Sequence, residues 1–175
     1  MTSGVDLLMS GGSTSAQWPK IGHKYAGTIL AIGEARQQTD PKDQKPKTFA
    51  DGTPRMQTPV TLATDTRGKF EYDEDEEKWT EVEIPDDDGI RTLYVAADMQ
   101  RAVRDAVLKA FKGSGDKPRP EVGGFLTVTR GKNKPKKPGM KAQHTFTAEY
   151  IRAADNANAA AVMDEHDPFN DDDEG

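Results

Sequence analysis

The chain has 175 residues, 34% hydrophobic and 31% charged, with no cysteine. That length holds one domain with tails. The composition excludes disulfides, a thiol nucleophile and a cysteine-ligated zinc site, and no apolar run reaches the roughly 18 residues of a membrane-spanning helix. The formal net charge of −6 hides a segregated pattern: residues 153–175 hold eight acids and no base, residues 71–88 hold eleven acids against Lys78 alone, and the remainder sums to +12. Such sign asymmetry concerns partners rather than fold.

Residues 1–17 contain one short apolar run, Val5 to Met9, among Gly and Ser. With no basic start they read as a flexible lead-in rather than a signal peptide. Residues 24–34 are β-rich, with Gly27 expected at a bulge or a close approach. A long connection at 37–57 contains Pro41, Pro46, Gly52 and Pro54. Residues 58–64 then alternate Val60 and Leu62 with Thr61 and Ala63, a strand pattern. The next connection, 65–89, carries the acidic insert 71–88 and predicts a hairpin around residues 73–77. Tyr72 and Trp79 are expected to pack that hairpin on the rest of the fold. Residues 90–96 form a third strand with Leu93 and Val95 inward and Tyr94 outward.

The helix signal follows. Met99, Ala102, Val103, Ala106, Val107, Ala110 and Phe111 recur as one apolar stripe. Asp98 is its expected N-cap, and Gly113 its stop. Residues 125–130 and 144–151, rich in Thr, aromatics and β-branched residues, predict the last two strands. Five strands with one helix between the third and fourth is the order of the OB-fold, a Greek-key barrel. The predicted fold is therefore mainly β: an OB-fold-like barrel over residues 18–152, with long loops and disordered termini, including the acidic tail 153–175.

In an OB-fold the loops between strands 1 and 2 and between strands 4 and 5 flank the oligonucleotide face. Here the second of these carries Arg130, Lys132, Lys134, Lys136, Lys137 and Lys141 without an acid. Cations on an extended loop suit separate phosphates. The first carries Arg36, Lys42, Lys45, Lys47 and Arg55 against Asp40, Asp43 and Asp51, with Phe49 among them. Cations interleaved with an aromatic match backbone contact plus base stacking, and Tyr94 is a second stacking candidate. Tyr25 and Phe146 read as core. His23, His144 and His166 lack metal-ligand spacing, no glycine-rich loop opens a helix, and the acids of 71–88 lack apolar flanks. Neither enzymatic activity, a metal nor a cofactor is expected.

The tail isolates Phe169 within acid, as Asp167-Pro168-Phe169 followed by Asp171, Asp172 and Asp173. A lone ring in a mobile polyanion suits docking in a partner's pocket with a basic rim. Together, the OB-like strand order, the basic loops and this tail resemble single-stranded-DNA-binding proteins of phage type. The Asp-Pro-Phe segment is similar to the acidic Pro-Phe tip of their bacterial counterparts, although six residues follow Phe169 here. The resemblance implies a sequence-tolerant, non-enzymatic protein that coats single-stranded DNA in replication, recombination and repair. It would recruit partner proteins through the tail, and work in the cytoplasm, a host's cytoplasm if viral. An acidic DNA mimic or a virion protein with a small barrel are the alternatives; the six-cation loop argues against the first.

Overall fold

The computed structural model of the chain describes residues 14–40, 42–134 and 143–158. The strands in chain order are β1 (Thr14–Ser15), β2 (Lys24–Ile32), β3 (Arg36–Gln37), β4 (Met56–Thr64), β5 (Lys69–Asp73), β6 (Lys78–Val82), β7 (Ile90–Val95), β8 (Phe125–Asn133) and β9 (His144–Ile151), the long ones built on alternating apolar residues. The helix α1 (Ala97–Ala110) lies between β7 and β8. Inward positions of the long strands, including Tyr25, Ile29, Leu62, Leu93, Leu126 and Val128, meet Met99, Val103, Val107 and Phe111 of the helix side in a single buried cluster. The predicted stripe is thus the face that α1 buries, and Gly113, at φ +81°, follows it in the left-handed conformation that ends helices.

The main sheet runs β1-β7-β4-β2-β8-β9, with β3 added beside β4. All its pairs are antiparallel except β1 with β7, which is parallel. The five expected strands are all present, but the sheet has seven. Among the described residues no pairing joins β7 to β9, so the barrel is not closed. Part of the free edge of β7 is covered by β1, where Thr14 and Ser15 sit opposite Arg91 and Thr92. Thr14 and Ser15 thus join the sheet although their sequence reads as lead-in. Gln17 donates its N–H to the Tyr25 hydroxyl and accepts from it, while the Trp18 ring meets Tyr25 and Phe146 edge-on at 5.0 Å.

Gly27 is a close approach, since a Cβ there would collide with the carbonyl oxygen of Ala63. The bulge comes two residues later, between Ile29 and Ala31. The helix cap differs from expectation. Ala96 is the N-cap and has no side-chain cap bond, while Asp98, in the first turn, accepts the Phe146 N–H at 2.8 Å. A longer-range acceptor role across to β9 has taken the carboxylate away from the helix end.

The acidic insert does form a hairpin, β5 with β6. Tyr72 and Trp79 sit opposite each other with ring centroids 5.4 Å apart, yet both stay exposed, so they brace the hairpin rather than pack it on the main sheet. Its attachment lies at the base. Arg91, 1% exposed, holds Asp87 with a two-pronged contact of 2.6 and 2.9 Å. Asp87 also accepts the N–H groups of Gly68 and Gly89. The Arg91 fork holds its carboxyl far below the ordinary aspartate range, outweighing the effect of burial.

Candidate nucleic-acid interface

The connection 37–57 is a compact arm rather than an open loop. Three backbone hydrogen bonds close a ring: Gln38 N–H to Arg55 O, Lys47 N–H to Gln38 O, and Arg55 N–H to Lys47 O. The arm's three acids serve its turns. Asp40, Asp43 and Asp51 each accept the N–H two residues on, from Lys42, Lys45 and Thr53, at 2.9 Å. These are Asx-turns, and the Thr53 N–H holds the Asp51 carboxyl below its ordinary value. Fixed in this way, the acids shape the arm that displays the cations.

Arg36, Lys42, Lys45 and Phe49 are exposed on this arm, and Lys47 and Arg55 half-buried. The Arg36 guanidinium lies over the Tyr94 ring at 5.4 Å from its centroid, and that of Arg55 over Phe49 at 5.1 Å. Tyr94 does point outward: it is exposed where Leu93 and Val95 are buried. Each predicted stacking ring therefore carries an arginine on one face.

The second basic segment leaves the opposite end of the sheet. β4 pairs Val60 with Ile32, so the arm lies beyond the Ile32 end of β2. β8 pairs Thr129 with Lys24, so the segment after β8 lies beyond the other end. Nine residues of strand separate the two ends, about 30 Å. The structure therefore does not gather all the predicted cations at one point. The strand positions that alternate with the core between these ends are small and polar: Ala26 beside Thr127 and Lys24 beside Thr129, with Lys24 exposed and the other three half-buried, while Thr92, beside Thr61, is itself buried. The sequence alternation marks these positions as outward, but threonine alone gives no sign of a ligand.

At the second end the cations divide by role. Arg130 donates to the Trp18 carbonyl at 2.7 Å and to Asn133 at 3.1 Å, so it pins the N-terminal segment. Lys134 pairs with Asp98 at 3.2 Å. Burial raises the Asp98 carboxyl, but the Phe146 N–H and Lys134 outweigh it and hold the group below its ordinary value. Lys132 is exposed. Lys136, Lys137 and Lys141 lie outside the described residues, as do Asp167, Pro168, Phe169, Asp171, Asp172 and Asp173. The acidic hairpin leaves from this same end, since Thr64 pairs with Gly27. His23 connects the two features: its ring meets Phe70 of the hairpin at 5.4 Å, and its carbonyl accepts the Arg130 N–H.

Among the described residues no group of three or more His, Cys, Asp or Glu is placed to hold a metal, and no helix is long and apolar enough to cross a membrane. No protein-family model, curated protein or solved structure matches the chain. The chemistry of the surface therefore stands on its own residues: an arginine-backed ring on the cationic arm, a second on β7, a strand face of small and polar residues with Lys24, and a lysine-bearing segment at its far end.

Proposed function

We propose that this protein binds single-stranded DNA without marked base preference, on the outward strand face between the arm and the segment after β8. The observation that carries the reading is the pair of arginine-backed rings, Arg36 on Tyr94 and Arg55 on Phe49. A ring held flat by a guanidinium offers its free face to a base of any identity, and the same cation serves the neighbouring phosphate. The strand order supports an OB-type reading of the fold. Counting only the five long strands of the main sheet, the order is third, second, first, fourth, fifth, in a barrel left partly open. Among the described residues the long helix α1 buries its apolar face in the core rather than standing clear of it.

In this reading the protein coats single strands during replication, recombination or repair. The acidic tail recruits partners, with Phe169 as anchor and the flanking acids meeting a basic rim. The test is fluorescence anisotropy with labelled oligo-dT and a duplex of equal length, in one buffer at low and high salt. Tighter binding to the single strand, weakening with salt, is the expected result. Equal or tighter duplex binding overturns the reading.

A further inference from the structure

An apolar groove lies between α1 and the sheet, on the side of β7 opposite Tyr94. It has a volume of about 260 Å³ and is lined by Ile29, Val60, Val95, Val107 and Leu108 among others. A cavity of about 150 Å³ accommodates benzene, so a phenyl ring fits. Leu108 lines it while remaining 49% exposed, leaving an apolar rim with no described segment over it. Arg104 and Arg119 complete the lining. Residues 99–119 hold six cations against Asp105 and Asp116; Asp116 is paired with Arg152 at 3.2 Å, and Asp105 makes a looser, exposed contact of 3.7 Å with Arg104. The groove is thus a ring-sized apolar slot in a cationic surround.

The chain itself contains the complement. Residues 164–175 carry seven acids, no base, and Phe169 as the only aromatic. The segment that leads to it is anchored at the Thr28–Ile29 level of β2, through the side chain of Thr28, which alternates away from the groove. Asn156 donates to the carbonyl of Gly123 at 2.9 Å and to Thr28 Oγ1 at 3.3 Å. Gly123 in turn donates its N–H to the carbonyl of Ile29, a wall of the groove. Phe169 lies eleven positions beyond Asn158, the last described residue, a reach of at most roughly 40 Å. A covalent link of this span gives an effective concentration of about millimolar, so even a slot of millimolar intrinsic affinity is about half filled.

We propose that the groove between α1 and the sheet is the seat of the chain's own acidic segment, with the Phe169 ring in the slot and its acids on Arg104 and Arg119. The seat lies across the sheet from Tyr94, so a seated tail leaves the stacking rings uncovered. A partner that captures Phe169 must first draw it from the groove. The proposal is independent of DNA binding, and its test contains no DNA.

The absence of cysteine makes that test direct. A nitroxide is attached at Asn170→Cys in the full chain, and amide signal loss is read by NMR. Val103, Val107 and Leu108 are expected to lose intensity selectively over Phe49 and Tyr94. Phe169→Ala should abolish the selectivity, and so should Leu108→Asp, which places a repelling charge on an exposed rim position without disturbing the core. Mixing isotope-labelled chain without nitroxide and unlabelled chain with it should show no loss. Loss centred on the arm, uniform loss, insensitivity to both substitutions, or loss in the mixed sample, where a second copy is the occupant, each overturns the proposal.

Discussion

The Arg36 guanidinium rests over the ring of Tyr94, 5.4 Å from its centroid, although the two residues belong to different strands. One face of the ring is thereby backed, and the residue remains 37% exposed. If a base stacks here, Tyr94→Ala should weaken oligo-dT binding by about 1–3 kcal/mol. Tyr94→Phe should stay near wild type, because the ring and its cation remain. The side chain is exposed, so the unfolding midpoint should barely move. Unfolding of Tyr94→Ala, or unchanged affinity in a folded variant, would remove the ring from the binding surface.

The lysines after β8 should separate by salt dependence. Each phosphate contact on a single strand contributes about 0.7 to the slope of log affinity against log salt. Replacing Lys132, Lys136 and Lys137 together by Ala should flatten the slope by up to about 2 on that basis. Lys134 is paired with Asp98, so Lys134→Ala should change the slope less than its neighbours do. A slope left intact by the triple variant would make this segment solvated surface only.

Much of this was legible in the sequence because it rests on periodicity. The α1 stripe and the alternation in β4 and β7 name the buried residues, and the same alternation places Tyr94 outside. What stayed hidden depends on single long-range bonds. Asp98 looks like an N-cap until the Phe146 N–H, 48 positions away, claims its carboxylate. Thr14 and Ser15 are too few and too polar to signal a strand, yet the free edge of β7 offers them backbone partners. Arg130 and Lys134 read as phosphate ligands by composition, and their contacts to Trp18 and Asp98 follow only from the folded arrangement. The charge of the acidic insert was visible, but its attachment through Asp87 and Arg91 was not. Nothing in a run of three aspartates marks the middle one as the partner of a buried arginine.

That attachment gives a stability prediction. The Arg91 and Asp87 side chains are 1% and 4% exposed. Asp87→Asn leaves the arginine charge buried without its counter-charge, and breaking a buried pair in this way costs about 3–5 kcal/mol. Urea unfolding should show a correspondingly lower midpoint. By contrast, Asp75→Asn at the exposed hairpin tip should have little effect. A near-neutral Asp87→Asn would mean that solvent reaches the Arg91 guanidinium after all.

Acidification should destabilise the fold in two steps. Burial first, and then the Lys20 charge, lowers the His23 imidazole below its ordinary value of 6.5. Burial and Arg130 do the same to His144. His23 Nε2 is buried with no hydrogen-bond partner, so a proton placed there would have no acceptor. In the window just below 6.5 the unfolded chain binds these protons and the folded chain resists them. Stability therefore rises with pH across that window and falls as pH drops through it. The second step comes from Asp98 and Asp87, both lowered from 3.8. Their contribution is present above that value and is lost as pH falls through the folded-state values, Asp87 last because the Arg91 fork holds it lowest. Urea midpoints measured from about pH 8 down to pH 3 should show both declines. His23→Gln and His144→Gln together should flatten the upper decline and leave the lower one in place. If the midpoint stayed level from pH 7.5 to 5 in the wild-type chain, the two imidazoles would be open to solvent, and the packing of His23 against Phe70 and Tyr25 would have to be abandoned.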